Sequence, residues 1–515
     1  MTKSHFFIAF VVSLGGFLFG FDAGIISGVM NYAGPEFELT ELQNGWVVSS
    51  PSFAAMLAMI FSGKLSDVFG RKKLLVIVAL LYAISAILSA FANSYELLYI
   101  ARMIGGLAFG AALVLAPLYI AEISTADNRG KLVTMQQLNI VFGFFAAFLS
   151  NYYFNKFNMS GSSFLTDSNV WRWMLGVEFI PAIIYFFALL SVPKSPRWLA
   201  LKTQFSSAKS VFIGLYGANQ GEKEFSELSN SLSHEKTQYQ SSFKDLFIPS
   251  LRFIIGVGVT IGVLQQITGI NAIYFYATSI FKQTGIGTEA AFSSGVLLST
   301  ISIVFTCVAI YLIDRMGRRP LLLIGIAGIS VSLLLCAYGF SQATYQLSNE
   351  QIAKFDFSES EQLLPLANEV FYSDVDFKSA VKSKIGPQVF YKNDGAILEA
   401  STTINPTLIL IGILGFIACF AFSLGPVMWV LLSELYPLKY RGIIVGSIAF
   451  INSLMSFLVQ LMFPWELSNL GSATTFLIFG LIAAVGLLIL LKILPETKGK
   501  SLEALEELLI TNRAK

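Results

Sequence analysis

The sequence predicts an all-α membrane protein with twelve transmembrane helices arranged as two six-helix halves. Its 515 residues are 55% hydrophobic and 13% charged, and their mean hydropathy is +0.68. Soluble proteins contain about 25% charged residues, so this chain has more apolar surface than a water-soluble fold can bury. The second observation is a pair of charged motifs that occurs twice along the chain, which indicates that one half repeats the other.

A membrane-spanning helix needs about 20 mainly apolar residues, and the sequence contains twelve segments of this kind. They cover residues 6–28, 44–66, 74–92, 97–121, 132–154, 172–192, 252–280, 288–312, 320–342, 405–432, 442–464 and 472–494. The first begins like a signal peptide, but its apolar run is longer and no small-residue cleavage site follows it. We therefore expect it to be the first membrane helix.

The lysines and arginines predict the orientation, because short loops on the cytoplasmic side are enriched in these residues. With a cytoplasmic N-terminus, the cytoplasmic segments hold 25 of the 34 basic residues and the outer segments hold 8. Five of those eight lie in the long segment 343–403, which counts little toward this rule. Both termini are therefore predicted to be cytoplasmic, and 343–403 is predicted to lie outside.

Two motifs at the predicted cytoplasmic ends of the spans occur once in each half. DVFGRK at 67–72 matches DRMGRR at 314–319, an offset of 247 residues. A glutamate followed seven residues later by Arg-Gly occurs at 122–130 and again at 434–442, an offset of 312 residues. The offsets differ by about the length of 343–403, which is therefore an insertion in the second half. Parallel repeats of this kind place a substrate site between the halves, near the midplane of the membrane.

These features divide the chain into two halves, a linker, an insertion and a tail. We expect a six-helix half at 1–192, a cytoplasmic linker at 193–251, a second half at 252–494 that contains the insertion 343–403, and a cytoplasmic tail at 495–515. Residues 206–248 of the linker are expected to form short amphipathic helices on the cytoplasmic face.

Eight motifs along the chain together resemble one protein family. They are GGFLFGFDAGIISG at 15–28, DVFGRKK at 67–73, RMIGGLAFG at 102–110, PKSPRWL at 193–199, QQITGINAIYFYA at 265–277, DRMGRRP at 314–320, GPVMWVLLSELYPLKYRG at 425–442 and PETKGKS at 495–501. This series resembles the sugar porter family of the major facilitator superfamily over nearly the whole chain except 343–403. The resemblance implies the major facilitator fold and secondary active transport of a monosaccharide or related polyol by alternating access.

A sugar exchanges hydrogen bonds with water for hydrogen bonds with its pocket, so its site needs amides for the hydroxyl groups and an aromatic face for the ring. By matching position, the resemblance implies that the sugar is bound by Gln137, Gln265, Gln266, Asn271, Trp429 and Asn452. It also implies a gate or pocket wall formed by Phe19, Tyr274, Phe275, Tyr276 and Ser302. The alternative is that the amides only join helices to each other, as is common in membranes.

Two of these positions depart from the family pattern. Ser302 occupies a position that usually carries asparagine, and Phe275 replaces one of two paired tyrosines. Both changes alter the contacts available to sugar hydroxyl groups, so the particular sugar stays open.

Three charged residues lie well inside their spans, away from the ends, where an ionised side chain costs at least about 2.5–3.5 kcal/mol on insertion scales. Counting at 1.5 Å per residue places Asp22, Arg102 and Glu178 all roughly 8–9 Å below the outer surface. The resemblance implies that Asp22 and Arg102 form the proton-coupling pair of symporting members and that Glu178 is a third member of this cluster. The alternative is a structural ion pair.

The resemblance implies that charged residues at the cytoplasmic helix ends hold the two halves together, as a latch, when the transporter is open to the outside. The candidates are Asp67, Arg71, Glu122, Arg129, Asp314, Arg318, Glu434 and Arg441. Lys194 stands where the family usually has a glutamate, so one acid of this latch is missing or supplied elsewhere. Charges that only set the membrane orientation are the alternative, because isolated exposed pairs contribute about 0–1 kcal/mol each.

The sequence thus predicts a proton-coupled sugar symporter, with a facilitative uniporter as the alternative and a transporter-like sugar sensor as a less favoured third. We expect no enzymatic activity, since no nucleophile–base arrangement occurs and His5 and His234 lie outside the spans. We also expect no cofactor or metal, because Cys307, Cys336 and Cys419 lie in apolar spans. The expected partners are a sugar, a proton and the lipid bilayer of the cell membrane, with no nucleic acid and a monomeric chain.

Overall fold

A computed structural model describes residues 5–125, 128–161, 164–235, 248–436 and 438–498. Residues 499–515 of the predicted tail (495–515) and residues 236–247 at the end of the linker lie outside the described part. The side chains of the latch candidates Arg129 and Asp314 also lie outside the described part. With the orientation predicted from the basic residues, we call the side that contains 343–403 the outer side and the opposite side the inner side.

The first half consists of six spans formed by seven helices. They are α1 (His5–Glu36), α2 (Glu41–Phe69), α3 (Arg71–Ala90), α4 (Tyr95–Ile123), α5 (Arg129–Met159), α6 (Val170–Gly176) and α7 (Phe179–Leu190). The linker then forms α8 (Pro196–Leu201), α9 (Phe205–Tyr216) and α10 (Ala218–Glu235). Of these, α9 and α10 lie in the region 206–248, where the sequence predicts short helices.

The second half has the same plan, with the segment 343–403 between its third and fourth spans. Its membrane helices are α11 (Arg252–Ile267), α12 (Ile270–Phe275), α13 (Ala277–Lys282), α14 (Thr288–Met316), α15 (Arg318–Ser341), α19 (Pro406–Phe422), α20 (Leu424–Leu435), α21 (Leu438–Asn469) and α22 (Gly471–Ile493). Each of the twelve predicted spans therefore corresponds to one helix or to a broken helix.

Among the described residues, eleven helical segments are long and apolar enough to cross a membrane by length and hydropathy alone. The remaining span is α5, which is 31 residues long and carries several amides among its apolar residues. It packs along α1 so closely that a Cβ atom at Gly20 would lie 2.0 Å from the carbonyl oxygen of Ile140. Asn139, Asn151 and Asn155 of α5 are buried in the protein, where contacts between helices replace contact with lipid.

Three spans are interrupted in the middle, and each interruption frees backbone polar groups. In the sixth span the break falls at Val177 and Glu178, and in the tenth it falls at Ser423. In the seventh span the chain breaks at Gly269, whose φ of +88° is in the left-handed region that favours glycine. Irregular backbone at membrane depth is tolerated where it is buried in protein or lines a cavity, so these breaks mark the places to search for a site.

Residues 343–403, which we call the outer domain, are folded. Strands β1 (Thr344–Tyr345) and β2 (Thr402–Thr403) pair antiparallel and close the domain where it joins the membrane helices. Between them lie α16 (Asn349–Ile352), a 3₁₀ helix (Ser360–Leu366), α17 (Asp374–Ile385) and α18 (Pro387–Ser401). The domain has a hydrophobic core of its own, which includes Tyr345, Leu363 and Phe377. The insertion that the sequence predicts is therefore a small folded unit of short helices and two strands.

The outer domain contacts both halves of the membrane body. On the second half, Asp374 accepts hydrogen bonds from the backbone N–H and the hydroxyl group of Ser472, both at 3.1 Å. On the first half, the Tyr391 hydroxyl group donates to Glu41 at 2.7 Å, and Lys382 lies 3.8 Å from the same carboxylate. Burial lowers the pKa of Lys382, and the charge of Glu41 counteracts part of this shift. The domain therefore spans the outer boundary between the halves.

The two halves also meet directly on the outer side. The hydroxyl groups of Ser27 on α1 and Thr278 on α13 lie 3.4 Å apart, and Trp46 on α2 packs edge-on against Phe457 on α21. A Cβ atom at Gly45 would lie 2.2 Å from the carbonyl oxygen of Leu461, so α2 and α21 touch through their backbones. This conformation is therefore closed on the outer side.

We expect Gly45→Ala to shift the protein toward conformations that are open on the outer side, because a Cβ atom at this position clashes with α21 only while the halves are closed. A cysteine at Ser27, in a background without the three native cysteines, would report this as faster labelling by an impermeant maleimide added outside. Gly63→Ala is the matched control, since its added Cβ atom meets nothing within 4 Å on the same helix. Equal labelling rates in the two variants would contradict this prediction.

Candidate functional site

Four amides of the second half, three of them buried, form one hydrogen-bonded cluster. Asn452 on α21 donates to the side-chain oxygen of Gln265 at 2.8 Å and to the backbone oxygen of Gly262 at 2.8 Å. Gln266 donates to Asn452 at 3.2 Å and to Gln265 at 3.3 Å, and it accepts from Asn271 at 2.8 Å. The structure thus brings together Gln265, Gln266, Asn271 and Asn452, which the sequence analysis places in the sugar site.

The break in the seventh span positions these amides. Gln265 and Gln266 are at the last turn of α11, and Asn271 is at the first turn of α12, on the other side of Gly269. Gln265 also donates to the backbone oxygen of Leu424, the first residue of α20 after the break at Ser423, at 3.0 Å. Each amide therefore has a partner, which buried polar groups require.

Gln137 and Trp429 make none of the described hydrogen bonds of this cluster. Gln137 is half-buried on α5, in the other half of the protein, next to the buried Gln136. Trp429 on α20 is 43% exposed, so a large part of its indole ring is available to another molecule. A ligand that contacted all six predicted residues would therefore have to bind between the two halves and contact both.

The aromatic residues form a row that crosses from one half to the other. The rings of Phe19 and Phe144 belong to the first half, and Phe144 stacks against Tyr274 of the second half with centroids 4.5 Å apart. The Tyr274 hydroxyl group donates to Ser302 at 2.7 Å. Ser302 therefore holds Tyr274 in this aromatic wall. An asparagine, which is usual at this position, has a longer side chain with an amide that can hydrogen-bond to a sugar.

Phe275 and Tyr276 are buried at the end of α12. The Tyr276 hydroxyl group donates to the backbone oxygen of Gln460 at 3.0 Å, and its ring packs against Phe463. Tyr276 therefore connects the end of α12 to α21.

Two residues on α21 that the sequence analysis does not single out extend the amide cluster toward the outer side. Asn271 and Gln460 each donate to the hydroxyl group of Ser456, at 2.6 and 2.7 Å. Together with Asn452, these residues recur every four positions and so share one face of the helix. That spacing is the sequence signal that could have identified them.

The predicted charged residues of the first half form a second buried site. Arg102 on α4 donates to Asp22 on α1 at 2.7 Å, and the two residues are 2% and 3% exposed. Glu178, 2% exposed at the break between α6 and α7, interacts electrostatically with both. Among the described residues, Nε of Arg102 has no hydrogen-bond partner, so the guanidinium group keeps an unused donor. Depth counting along the spans therefore identifies residues that meet in space.

Tyr82 and Tyr185 line the same site and are absent from the sequence analysis. Both are fully buried, and Tyr82 interacts electrostatically with Asp22, Glu178 and Tyr185. Their hydroxyl groups donate to backbone oxygens of α1, those of Gly15 and Val12, at 3.2 and 3.3 Å. Tyrosines are common in membrane helices, so the sequence offers no pattern that distinguishes these two.

The charged residues at the inner helix ends pair within each half. Arg71 contacts Asp67 at 2.8 Å and Glu122 at 3.0 Å, and Arg318 contacts Glu434 at 2.8 Å. Arg441 donates to the backbone oxygen of Tyr436 on its own segment. In this conformation the described pairs therefore connect helices within one half. A latch between the halves is a prediction for the conformation that is open to the outside.

A matching hydroxyl group completes each of these pairs. Ser195 donates to Glu122, and Thr497 donates to Glu434 at 2.6 Å. Next to Thr497, Glu496 accepts from the backbone N–H groups of Arg318 and Arg319 at 3.2 and 3.1 Å. Although burial acts to raise the pKa of Glu496, these hydrogen bonds hold it below its usual value. The repeat seen in the charged motifs therefore extends to the segments that follow each half.

Comparison with known proteins identifies the family. A family model described as "Sugar (and other) transporter" matches residues 8–355 and 389–509. The chain is 33% identical over 502 residues to the major myo-inositol transporter IolT of Bacillus subtilis, covering 97% of this chain and 93% of that protein. It is 31% identical over 515 residues to the arabinose-proton symporter of the same organism, covering 99% and 97%. The chain belongs to the sugar transporter family.

The solved structures of the family show the same fold. The inward open conformation of the xylose transporter XylE from E. coli has a TM-score of 0.75 to this chain at 27% identity, covering 98% of this chain and all of XylE. The likeness confirms the predicted twelve-helix fold of a multi-pass integral membrane protein, and it agrees with the closed outer side. The family model leaves 356–388 unmatched, and these residues lie within the outer domain.

Proposed function

We propose that this protein is a proton-coupled symporter that carries a monosaccharide or related polyol across the cell membrane by alternating access, with both termini in the cytoplasm. The observation that carries the proposal is the buried cluster of Asp22, Arg102 and Glu178. Family membership supports the sugar, and the relative named as an arabinose-proton symporter supports the proton.

The charges of this cluster favour the binding of one proton. Two carboxyl groups share one guanidinium group, so the fully ionised cluster has a net charge of −1 in a buried position. An uncompensated charge of this kind is costly inside a membrane protein, whereas one bound proton makes the cluster neutral. One proton moving down a potential of about 100 mV supplies about 2.3 kcal/mol, enough for a roughly 50-fold accumulation of sugar.

Helix α1 connects the proton site to the contact between the halves. Ser27 follows Asp22 by five residues, or about 7.5 Å along the helix, and contacts Thr278 across the outer closure. Protonation of Asp22 weakens its bond to Arg102, whose guanidinium group then remains neutralised by Glu178. The first half can then release α1, and the outer contact of Ser27 changes with it.

The amide cluster of the second half is the proposed sugar site, with Gln137 and Trp429 completing it when the halves close around the substrate. The amides already satisfy each other, so a sugar hydroxyl group can replace one of these bonds without leaving a buried group unpaired. The exposed indole ring of Trp429 offers an apolar face to a sugar ring.

We expect Gln266→Ala to weaken sugar binding about five- to ten-fold, because it removes a hydrogen-bonding group worth about 1 kcal/mol or more. Calorimetry with D-glucose, D-xylose, D-galactose, L-arabinose and myo-inositol checks this. Thr260→Val on the same membrane span is the control, since the Thr260 hydroxyl group bonds only to the backbone of its own helix. Unchanged affinity in Gln266→Ala for every sugar that binds the wild type would overturn the proposed site.

We expect Asp22→Asn to abolish accumulation against a sugar gradient while exchange between equal sugar pools persists, because asparagine cannot take up the proton. Uptake into proteoliposomes with an inward proton gradient checks this. Asp376→Asn, at an exposed position of the outer domain, is the matched control. If Asp22→Asn still concentrates sugar, or the wild type does not, the protein is a facilitative uniporter.

We expect Glu178→Gln to shift the pH profile of concentrative uptake toward more acidic pH. Without the second carboxylate, the Asp22–Arg102 pair is neutral before a proton binds, so proton uptake leaves a net positive charge. Uptake measured between pH 5 and pH 8 checks this against the wild type. A profile that keeps its midpoint would show that Glu178 does not share the proton site.

A further inference from the structure

Gln460 is a buried amide that lies between the proposed sugar site and the outer contact of the halves. It is on the same face of α21 as Asn452 and Ser456, and its exposed fraction is 0%. Both ends of its side-chain amide are used. Its nitrogen donates to Ser456 at 2.7 Å, and its oxygen accepts from the hydroxyl group of Ser52 on α2 at 3.0 Å.

These bonds form a continuous chain from the first half to the amide cluster. Ser52 belongs to the first half, and the other members belong to the second. Ser456, which accepts from Gln460, also accepts from Asn271 at 2.6 Å, and Asn271 donates in turn to Gln266 at 2.8 Å. The hydroxyl group of Ser456 is thus the point where the contact between the halves reaches the amides.

The bond between Ser52 and Gln460 depends on the conformation. Ser52 lies on α2, the helix whose Gly45 touches the backbone of α21 while the outer side is closed. When the halves separate on this side, Ser52 moves away with the first half and the oxygen of Gln460 loses its partner. A buried acceptor left unpaired is unfavourable, so Gln460 must turn to find another donor. Its bond to Ser456 changes at the same time.

We propose that Ser52 and Gln460 are positioning residues that couple closure of the outer side to the arrangement of Asn271 in the sugar site. The inference rests on the proposed function, because it assigns these residues to the same transport cycle. Coupling between two sites is reciprocal. If closure places Asn271 for sugar binding, then bound sugar favours closure by the same factor, and a substrate-dependent gate results.

The test measures how much sugar is needed to close the outer side. A cysteine at Ser27, in a background without the native cysteines, is labelled from outside with an impermeant maleimide. D-glucose, D-xylose, D-galactose, L-arabinose and myo-inositol are each titrated until labelling is protected. In Ser52→Ala we expect the half-protecting concentration to rise about five-fold, as the loss of one hydrogen bond predicts. Ser52→Thr, which keeps the hydroxyl group, restores the wild-type value.

Ser50→Ala is the matched control, because Ser50 is buried on the same helix and its described hydrogen bond goes to the backbone oxygen of Val47. Gln460→Met, which removes both bonds at similar size, tests the other end of the link. The double variant Gln460→Met/Ser52→Ala should have the same half-protecting concentration as Gln460→Met alone, because both changes interrupt the same chain of hydrogen bonds.

The outcomes separate this inference from the proposed function. If no sugar protects the wild-type cysteine and none is taken up, the proposed function fails. If sugar protects the wild type and Ser52→Ala has the same half-protecting concentration as Ser50→Ala, the coupling through Gln460 is overturned. A purely structural role for Ser52 would reduce the amount of folded protein and leave that concentration unchanged in the folded fraction.

Discussion

The structure depends on a buried cluster in which two carboxyl groups share one positive charge. Asp22 and Glu178 face a single guanidinium group, that of Arg102, at a depth where water cannot stabilise an ionised carboxylate. The hydrogen bond of 2.7 Å between Arg102 and Asp22 stabilises one negative charge, and in the proposed mechanism a proton neutralises the second. Proton binding would then follow from the fold itself, and the position of α1 would depend on the protonation state.

The two halves hold different parts of the proposed chemistry. The ionisable cluster lies among α1, α4 and the break after α6, all in the first half, whereas the bonded amides lie on α11, α12 and α21 in the second half. Neither half can couple a proton to a sugar alone. The contacts of Ser27 with Thr278 and of Ser52 with Gln460 cross between them, and both belong to the outer closure.

Much of this arrangement follows from the sequence because membrane depth is simple to count. Twelve apolar segments and the rise of a helix place Asp22, Arg102 and Glu178 at one level, and the structure brings them together. The outer domain could not be predicted in the same way, since its short elements have no single periodicity and are fixed by their own small core. The four-residue spacing of Ser456 and Gln460 from Asn452 indicates that they share a helix face, but their partners Asn271 and Ser52 become visible only in the packing of α21 against α12 and α2.

The number of protons that move with each sugar tests the role of the buried cluster most directly. In proteoliposomes that contain the wild-type protein, an outward sugar gradient is opposed by a set membrane potential, and the potential at which net sugar flux stops gives the charge moved per sugar. One proton per sugar is the value expected from two carboxyl groups that share one guanidinium group. A pH difference that is equivalent to a given membrane potential should stop the net sugar flux in the same way as that potential. A sugar flux that ignores both potential and pH difference would contradict proton coupling by Asp22, Arg102 and Glu178.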